Sequence, residues 1–202
     1  MALLDELTAY TPFCPQEVQD REILCTWLKS GQDVFGRANP GHFTASAWVL
    51  SPDRQQVLMV YHNIYQSWSW MGGHADGDTD LCAVARREAQ EESGLEFLKL
   101  LQDGIFSLEL LTVDGHVKRG QYVSSHLHGN VTYLFEADPA APVRSKPDEN
   151  SGAAWIPLAQ LAQKVSEPWM LRHVYTQALP KGSGAWLLNF WKIRGKLCPF
   201  FP

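Results

Sequence analysis

Glu88, Glu91 and Glu92 stand at i, i+3 and i+4 in a segment that reads as helix over about 80–93, and this spacing gathers three carboxylates on one side of a helix. Such a patch suits a hard divalent cation such as Mg²⁺, which takes oxygen ligands and often bridges a protein to phosphate. On spacing alone a solvated acidic face is an equal reading, since like charges on an exposed helix repel by only about 0.2–0.5 kcal/mol. Position around the helix separates the two. At about 100° per residue, Leu81, Val84 and Ala85 mark the apolar side, Glu88 and Glu92 fall on it with Glu91 at its edge, and Leu95 resumes it. Arg86, Gln90 and Ser93 occupy the opposite, solvent-like side. Two carboxylates about 6 Å apart at an effective dielectric near 20 repel by roughly 3 kcal/mol, and partial burial adds desolvation. A cluster of this kind takes up protons or holds cations. The preceding run Gly72-Gly73-His74-Ala75-Asp76-Gly77-Asp78 favours cations, because glycines permit close backbone approach by a phosphate or metal.

From Gly73 to Leu95 the chain resembles the Nudix box, G-x5-E-x7-R-E-U-x-E-E-x-G-U with U apolar. Gly73, Arg87, Glu88, Ala89, Glu91, Glu92, Gly94 and Leu95 fall at the required positions, with Ala89 a small version of U. The first glutamate of the pattern is replaced by Thr79, with Asp78 one residue earlier. Either Asp78 takes that supporting role or Thr79 caps the helix. The resemblance implies a mixed sheet between helices, an α/β/α sandwich over about residues 40–165. It further implies hydrolysis of a phosphoanhydride in a nucleoside diphosphate linked to another group. Glu88, Glu91 and Glu92, with Gly73, would hold Mg²⁺ or Mn²⁺, and Arg87 would orient the glutamates by pairing. One of the box glutamates, or another elsewhere, would activate water. Some members carry a further glutamate six residues before a tryptophan that begins the last sheet strand. Glu149 precedes Trp155 by that distance and is the candidate for an added ligand or base.

Other residue types suit the same substrate class. His126, His128, Asn130 and Thr132 alternate with Leu127, Val131, Tyr133 and Phe135, so the polar set shares one strand face that either lines a pocket or faces water. The His126-x-His128 pair has zinc-binding types, but no third ligand sits at a telling spacing. Lys118 and Arg119 lie in the most basic glycine-flanked segment, where a solvated loop charge competes with a phosphate contact. Trp68 and Trp70, just before the glycines, either stack on a base or pack beneath the loop.

These groups need a scaffold. The 202 residues suffice for one domain, with a helical addition at 1–38 and C-terminal helices at 166–202. Helix is expected at 15–31 and strands at about 43–50, 56–61, 96–101, 105–113 and 123–136. A short strand at 154–156 precedes helices near 157–165, 168–178 and 184–194, and strands interspersed with helices make an α+β architecture. The last helices, with Trp169, Tyr175, Trp186 and Trp191, cover the sheet or form a homodimer interface.

A net charge of −5 argues against binding a nucleic-acid polymer, which calls for a basic surface. Cys14, Cys25, Cys82 and Cys198 are scattered without a C-x-x-C pair, as expected of reduced thiols. Met1 to Glu6 carries acids where a signal peptide wants positive charge, and no apolar run approaches a membrane span, so a cytoplasmic setting is expected. Two further functions belong to the same resemblance. Isopentenyl diphosphate isomerase shares the fold but uses a cysteine in an Asn-Thr-Cys context, which none of the four cysteines occupies. A non-catalytic nucleotide-binding module would be expected to have lost the glutamates, and all are present.

Overall fold

The computed structural model describes residues 2–118, 120–176 and 178, without the side chain of Lys118. The helix expected at 184–194, together with Trp186, Trp191, Cys198 and Arg119, lies outside these residues. Ten strands run as β1 (Gly41–Leu50), β2 (Gln56–His62), β3 (Ser67–Ser69), β4 (Met71–His74), β5 (Lys99–Leu100), β6 (Ser107–Val113), β7 (His116–Lys118), β8 (Gln121–Val123), β9 (His126–Glu136) and β10 (Asn150–Pro157). Helices α1 (Leu3–Ala9), α2 (Pro15–Lys29), α3 (Leu81–Ser93), α4 (Leu161–Lys164) and α5 (Pro168–Met170) complete the described elements, α4 preceded by a 3-10 turn at Leu158–Gln160 and α5 continuing into a π-helical turn at Leu171–Tyr175. Eight strands form one mixed sheet, and β7 and β8 make a separate hairpin.

The parallel pair β1 and β9 is the spine of the sheet. Strands β2 and β4 both pair antiparallel with β1, β10 extends β2, and β5 and β6 pair with β9. Every β1 residue from His42 to Leu50 is buried, as expected of a strand covered on both faces. Phe43, Ala45, Ala47 and Val49 face one core shared with Leu3 and Leu7 of α1, Leu24 of α2 and Leu81, Val84, Ala85 and Ala89 of α3. Trp48 and Leu50 face a second core, closed by Leu161, Val165, Val174 and Tyr175 from the C-terminal helices. The result is a helix/sheet/helix sandwich of the α+β class. Tyr175 stacks on Trp48 and meets Trp70 edge-on, at centroid distances of 5.6 and 5.4 Å.

Several boundaries differ from the sequence expectation for identifiable reasons. The strand expected at 96–101 shrinks to two residues, because the Leu98 carbonyl is taken by Arg86 Nη1 and Phe97 is exposed. The glycine loop contains two short strands, β3 and β4. The polar stretch before Gly120 contributes the first strand of the β7–β8 hairpin. Strand β10 begins at Asn150 rather than near Trp155, and α1 went unread because two leucines, Leu3 and Leu7, are all it buries.

Candidate active site

Helix α3 carries the acidic cluster, and its ends are set locally. Asp80 is the N-cap, its carboxylate accepting from Ala83 N–H at 2.9 Å, so Thr79 does not cap the helix. Asp78 accepts from Arg87 Nη1 at 3.4 Å and from its own loop through Asp80 N–H at 3.0 Å. Gly94 ends the helix with φ +74°, a conformation that strains any residue with a Cβ. Leu81, Val84 and Ala85 of α3 are buried as expected, together with Ala89 and Glu92. Two residues of the solvent-like side are not solvated. Ser93 is fully buried, because the segment after β9 folds over it and Arg144 N–H bonds the Ser93 carbonyl at 2.8 Å. Arg86 lies over the Phe135 ring, 4.9 Å from its centroid.

Glu92 is 4 % exposed and accepts from Gly72 N–H at 2.9 Å. Burial pushes its carboxyl up to about 8, with Glu149 and Glu88 adding repulsion and the Gly72 bond and Lys146 opposing. Glu88 is half-buried and is raised for the same first reason, desolvation, then by Glu91, against the pull of Arg87. Arg87 Nη2 stands 3.8 Å from Glu88, so Arg87 links Asp78 to Glu88. A Cβ built on Gly73 would lie 2.5 Å from the Glu88 carboxyl carbon, and one on Gly72 would lie 2.5 Å from the Ala45 carbonyl oxygen. These glycines are therefore required by protein atoms, the β1 backbone and the Glu88 side chain, rather than by an approaching phosphate.

Glu149 joins this cluster through a residue that was not anticipated. Lys146 Nζ lies 3.1 Å from Glu91 and 3.1 Å from Glu149. Burial disfavours its charge, but hydrogen bonds to the two carboxylates outweigh that and hold it above the ordinary lysine range. The buried Asn150 side chain fastens the segment by donating to the Glu92 carbonyl at 3.1 Å. Nothing in the sequence marked this residue, since Lys146-Pro147-Asp148-Glu149 is a turn and not a helix in which residues three apart must meet. The donor set of carboxylates, with an ammonium already held between two of them, fits a hard divalent cation at Glu88, Glu91 and Glu92 beside Gly73.

The polar strand face of β9 is an extensive floor across the sheet. Asn130 Oδ1 accepts from Thr44 and Ser46 at 3.0 and 2.8 Å, and Asn130 Nδ2 donates to Glu109 and Thr132, both at 3.1 Å. His126 and His128 stand at the end of this floor, beside His42 of β1 and His74 of β4. Desolvation holds His42 and His128 below the usual histidine range, aided for each by neighbouring imidazoles. A cavity of about 530 Å³ lies beyond them, lined by residues that include Trp27, Asn39, Thr112 and His126. Its lining includes none of the glutamates. Trp70 is 8 % exposed and meets Tyr175 edge-on.

Comparison with known proteins agrees with this architecture. The NUDIX domain family model matches residues 40–177, and the chain belongs to the Nudix family. A C. elegans Ap4A hydrolase binary complex superposes with a TM-score of 0.51 at 19 % identity, over 73 % of this chain and 98 % of that one. The E. coli dihydroneopterin triphosphate pyrophosphohydrolase gives 0.52 at 15 % identity, over 71 % and 97 %. In sequence the chain is similar to an isopentenyl-diphosphate Delta-isomerase of Clavibacter michiganensis subsp. michiganensis, 26 % identical over 155 residues, 73 % of this chain and 74 % of that protein.

Proposed function

We propose that this protein is a Mg²⁺- or Mn²⁺-dependent hydrolase that cleaves a phosphoanhydride bond in a nucleoside diphosphate linked to another group. The observation that carries the reading is the seating of Glu88 against Gly73 and of Glu92 on Gly72 N–H, both carboxyls raised by burial, with Glu91 between them on the same helix. A cation bound there neutralises the diphosphate and lowers the pKa of a bound water. The protein's part is to hold the oxygens in place. Gly72 N–H orients Glu92 and Arg87 positions Glu88 against Asp78, while the Lys146 ammonium sits between Glu149 and Glu91, where a bound cation would displace it. Glu149, just before β10, is the base candidate outside the helix. Lys118 and Arg119 are the proposed phosphate contacts, and His126 and His128 belong to the sheet floor on the substrate side. The two structural neighbours carry names that denote cleavage of polyphosphate anhydrides, which supports the bond class while leaving the substrate open.

A panel of nucleoside diphosphate sugars, dinucleoside polyphosphates, nucleoside triphosphates and isopentenyl diphosphate, each with Mg²⁺ and Mn²⁺, tests the reading. Metal-dependent release of phosphate-containing products is expected, and it is abolished in Glu92→Gln. Undiminished turnover in that variant refutes the role given to the cluster. Conversion of isopentenyl diphosphate without hydrolysis would favour the isomerase, the reading raised by the 26 % relative. Tight nucleotide binding by calorimetry with no product in any metal would favour a non-catalytic module. We further propose a single domain over 1–202 acting in the cytoplasm, with a homodimer through the C-terminal segment, where Trp169 is 46 % exposed. Among the described residues no helix is long and apolar enough to cross a membrane.

A further inference from the structure

The third and fourth partners that the sequence did not offer to His126-x-His128 come from other strands. His42 of β1, His74 of β4 and the two β9 histidines each offer a ring nitrogen such that all four nitrogens lie within 4.8 Å of one another. Their rings pack at centroid distances between 4.8 and 5.3 Å. The β1–β9 register sets His42 opposite His128, and β4 sets His74 opposite Thr44, so the group is built by strand pairing.

Hydrogen bonds decide which nitrogens carry lone pairs. His42 Nδ1 lies 2.7 Å from the Asn39 carbonyl oxygen, and His126 Nδ1 lies 2.8 Å from that of Ser124. A carbonyl only accepts, so both Nδ1 atoms are protonated and both Nε2 atoms present a lone pair. Backbone support of this kind is how metal-ligating histidines are commonly oriented. Among the described residues, buried His42 Nε2 has no hydrogen-bond partner. His126 Nε2 and His128 Nε2 are 3.0 Å apart. Two nitrogens bound to one ion at about 2.0–2.1 Å are separated by about 2.9–3.4 Å for angles from square to tetrahedral. An all-imidazole set excludes the hard ions that favour oxygen and suits the borderline transition ions.

We propose that His42, His74, His126 and His128 form a second metal site, which takes one divalent transition-metal ion of the zinc class through four imidazole nitrogens. The ion would cross-link β1, β4 and β9 at the end of the polar floor. His74 follows Gly73 directly, so the same ion would fix the strand whose glycines seat Glu88 and Glu92. The site stands whether or not the glutamate helix proves hydrolytic.

The test uses the full chain stripped by chelation and held in excess Mg²⁺, so that the glutamates do not compete. Titration with Co²⁺ is followed by visible d–d absorption, and Zn²⁺ is then used to displace it. One equivalent with a tetrahedral spectrum is expected. Zn²⁺ at about a hundredfold over its dissociation constant should raise the Tm by roughly 5–10 °C. His126→Ala and His128→Gln should each weaken binding by roughly a hundredfold or more, while Glu91→Gln keeps both spectrum and Tm rise. His126 is only half-buried, and circular dichroism establishes that its variant is folded. The proposal is overturned if the wild type shows no one-to-one spectrum. It is equally overturned if the spectrum persists in both histidine variants, or disappears in Glu91→Gln.

Discussion

Replacing Glu92 by glutamine should make the metal-free protein more stable at neutral and alkaline pH while removing its metal-dependent activity. Glu92 is 4 % exposed, and the fold raises its carboxyl from 4.5 to about 8. The folded state therefore prefers the protonated form. The sign follows: the unfolded chain gives up this proton near pH 4.5, the folded chain not until about pH 8, and between them the folded state binds more protons. Stability attributable to Glu92 is then fully present below pH 4.5 and declines as pH rises through about 8. At about 1.4 kcal/mol per tenfold, the loss is about 1 kcal/mol by pH 5, about 3 kcal/mol by pH 7 and about 5 kcal/mol when complete.

Glutamine keeps an oxygen to accept from Gly72 N–H and carries no charge to desolvate, so the variant lacks this decline. Urea unfolding in chelator at intervals from pH 5 to 9, on wild type and Glu92→Gln together, isolates the residue. Other raised carboxyls, such as Glu6, Asp20 and Glu167, contribute equally to both proteins. The curves should diverge by about 3 kcal/mol at pH 7. Saturating Mg²⁺ should narrow the gap by stabilising the wild type alone, because ligation requires the deprotonated form. Parallel curves in chelator would refute the argument that Glu92 is held protonated by burial.

Gly73→Ala should leave the chain folded but reduce Mg²⁺-dependent turnover at least tenfold. The added methyl meets the Glu88 carboxyl at 2.5 Å and turns it away, and kcat with a Mg²⁺ titration measures this. Lys146→Ala should tighten Mg²⁺ binding several-fold by calorimetry. It removes an ammonium that competes for Glu91 and Glu149, an exposed interaction of about 1 kcal/mol at most. Weaker Mg²⁺ binding would instead show that Lys146 organises the ligands. Asn130→Ala should destabilise by about 3 kcal/mol in urea, since it strips a donor from Glu109, 3 % exposed, and an acceptor from the Thr44 and Ser46 hydroxyls.

What could be read in the sequence was whatever depended on a single local period. The α3 stripe from Leu81 to Glu92 and the course of β1 follow from spacing and burial on one element, whereas β9 starts at His126 rather than near 123, because Gln121–Val123 pairs with β7 instead. Ser93 was misplaced because its cover comes from Arg144, far along the chain. The glycines of β4 read as loop because backbone pairing needs no side chain, and the partner atoms that exclude a Cβ belong to Ala45 and Glu88. Lys146 and Asn150 were invisible as site residues until the segment before β10 came to rest on the helix. The histidine cluster was half legible: the H-x-H pair lies within β9, whereas His42 and His74 reach it only through strand register.

The four residues of β4 explain how two chemically different clusters come to be neighbours. Successive strand residues point to opposite faces. Position 73 therefore faces α3 and must be glycine for Glu88 to pass, while positions 72 and 74 face the polar floor with Ser46 and the imidazoles. One edge of the strand pairs with β1, and Gly72 N–H meets Glu92. Oxygen ligands thus gather on the helix side and nitrogen ligands on the sheet side of one short strand. Because the period is two, a slip of one residue would drive His74 into Glu88 and withdraw an imidazole from the floor, dismantling both clusters at once. The antiparallel pairing of Thr44 with His74 through Ala47 with Met71 is accordingly the register on which both depend.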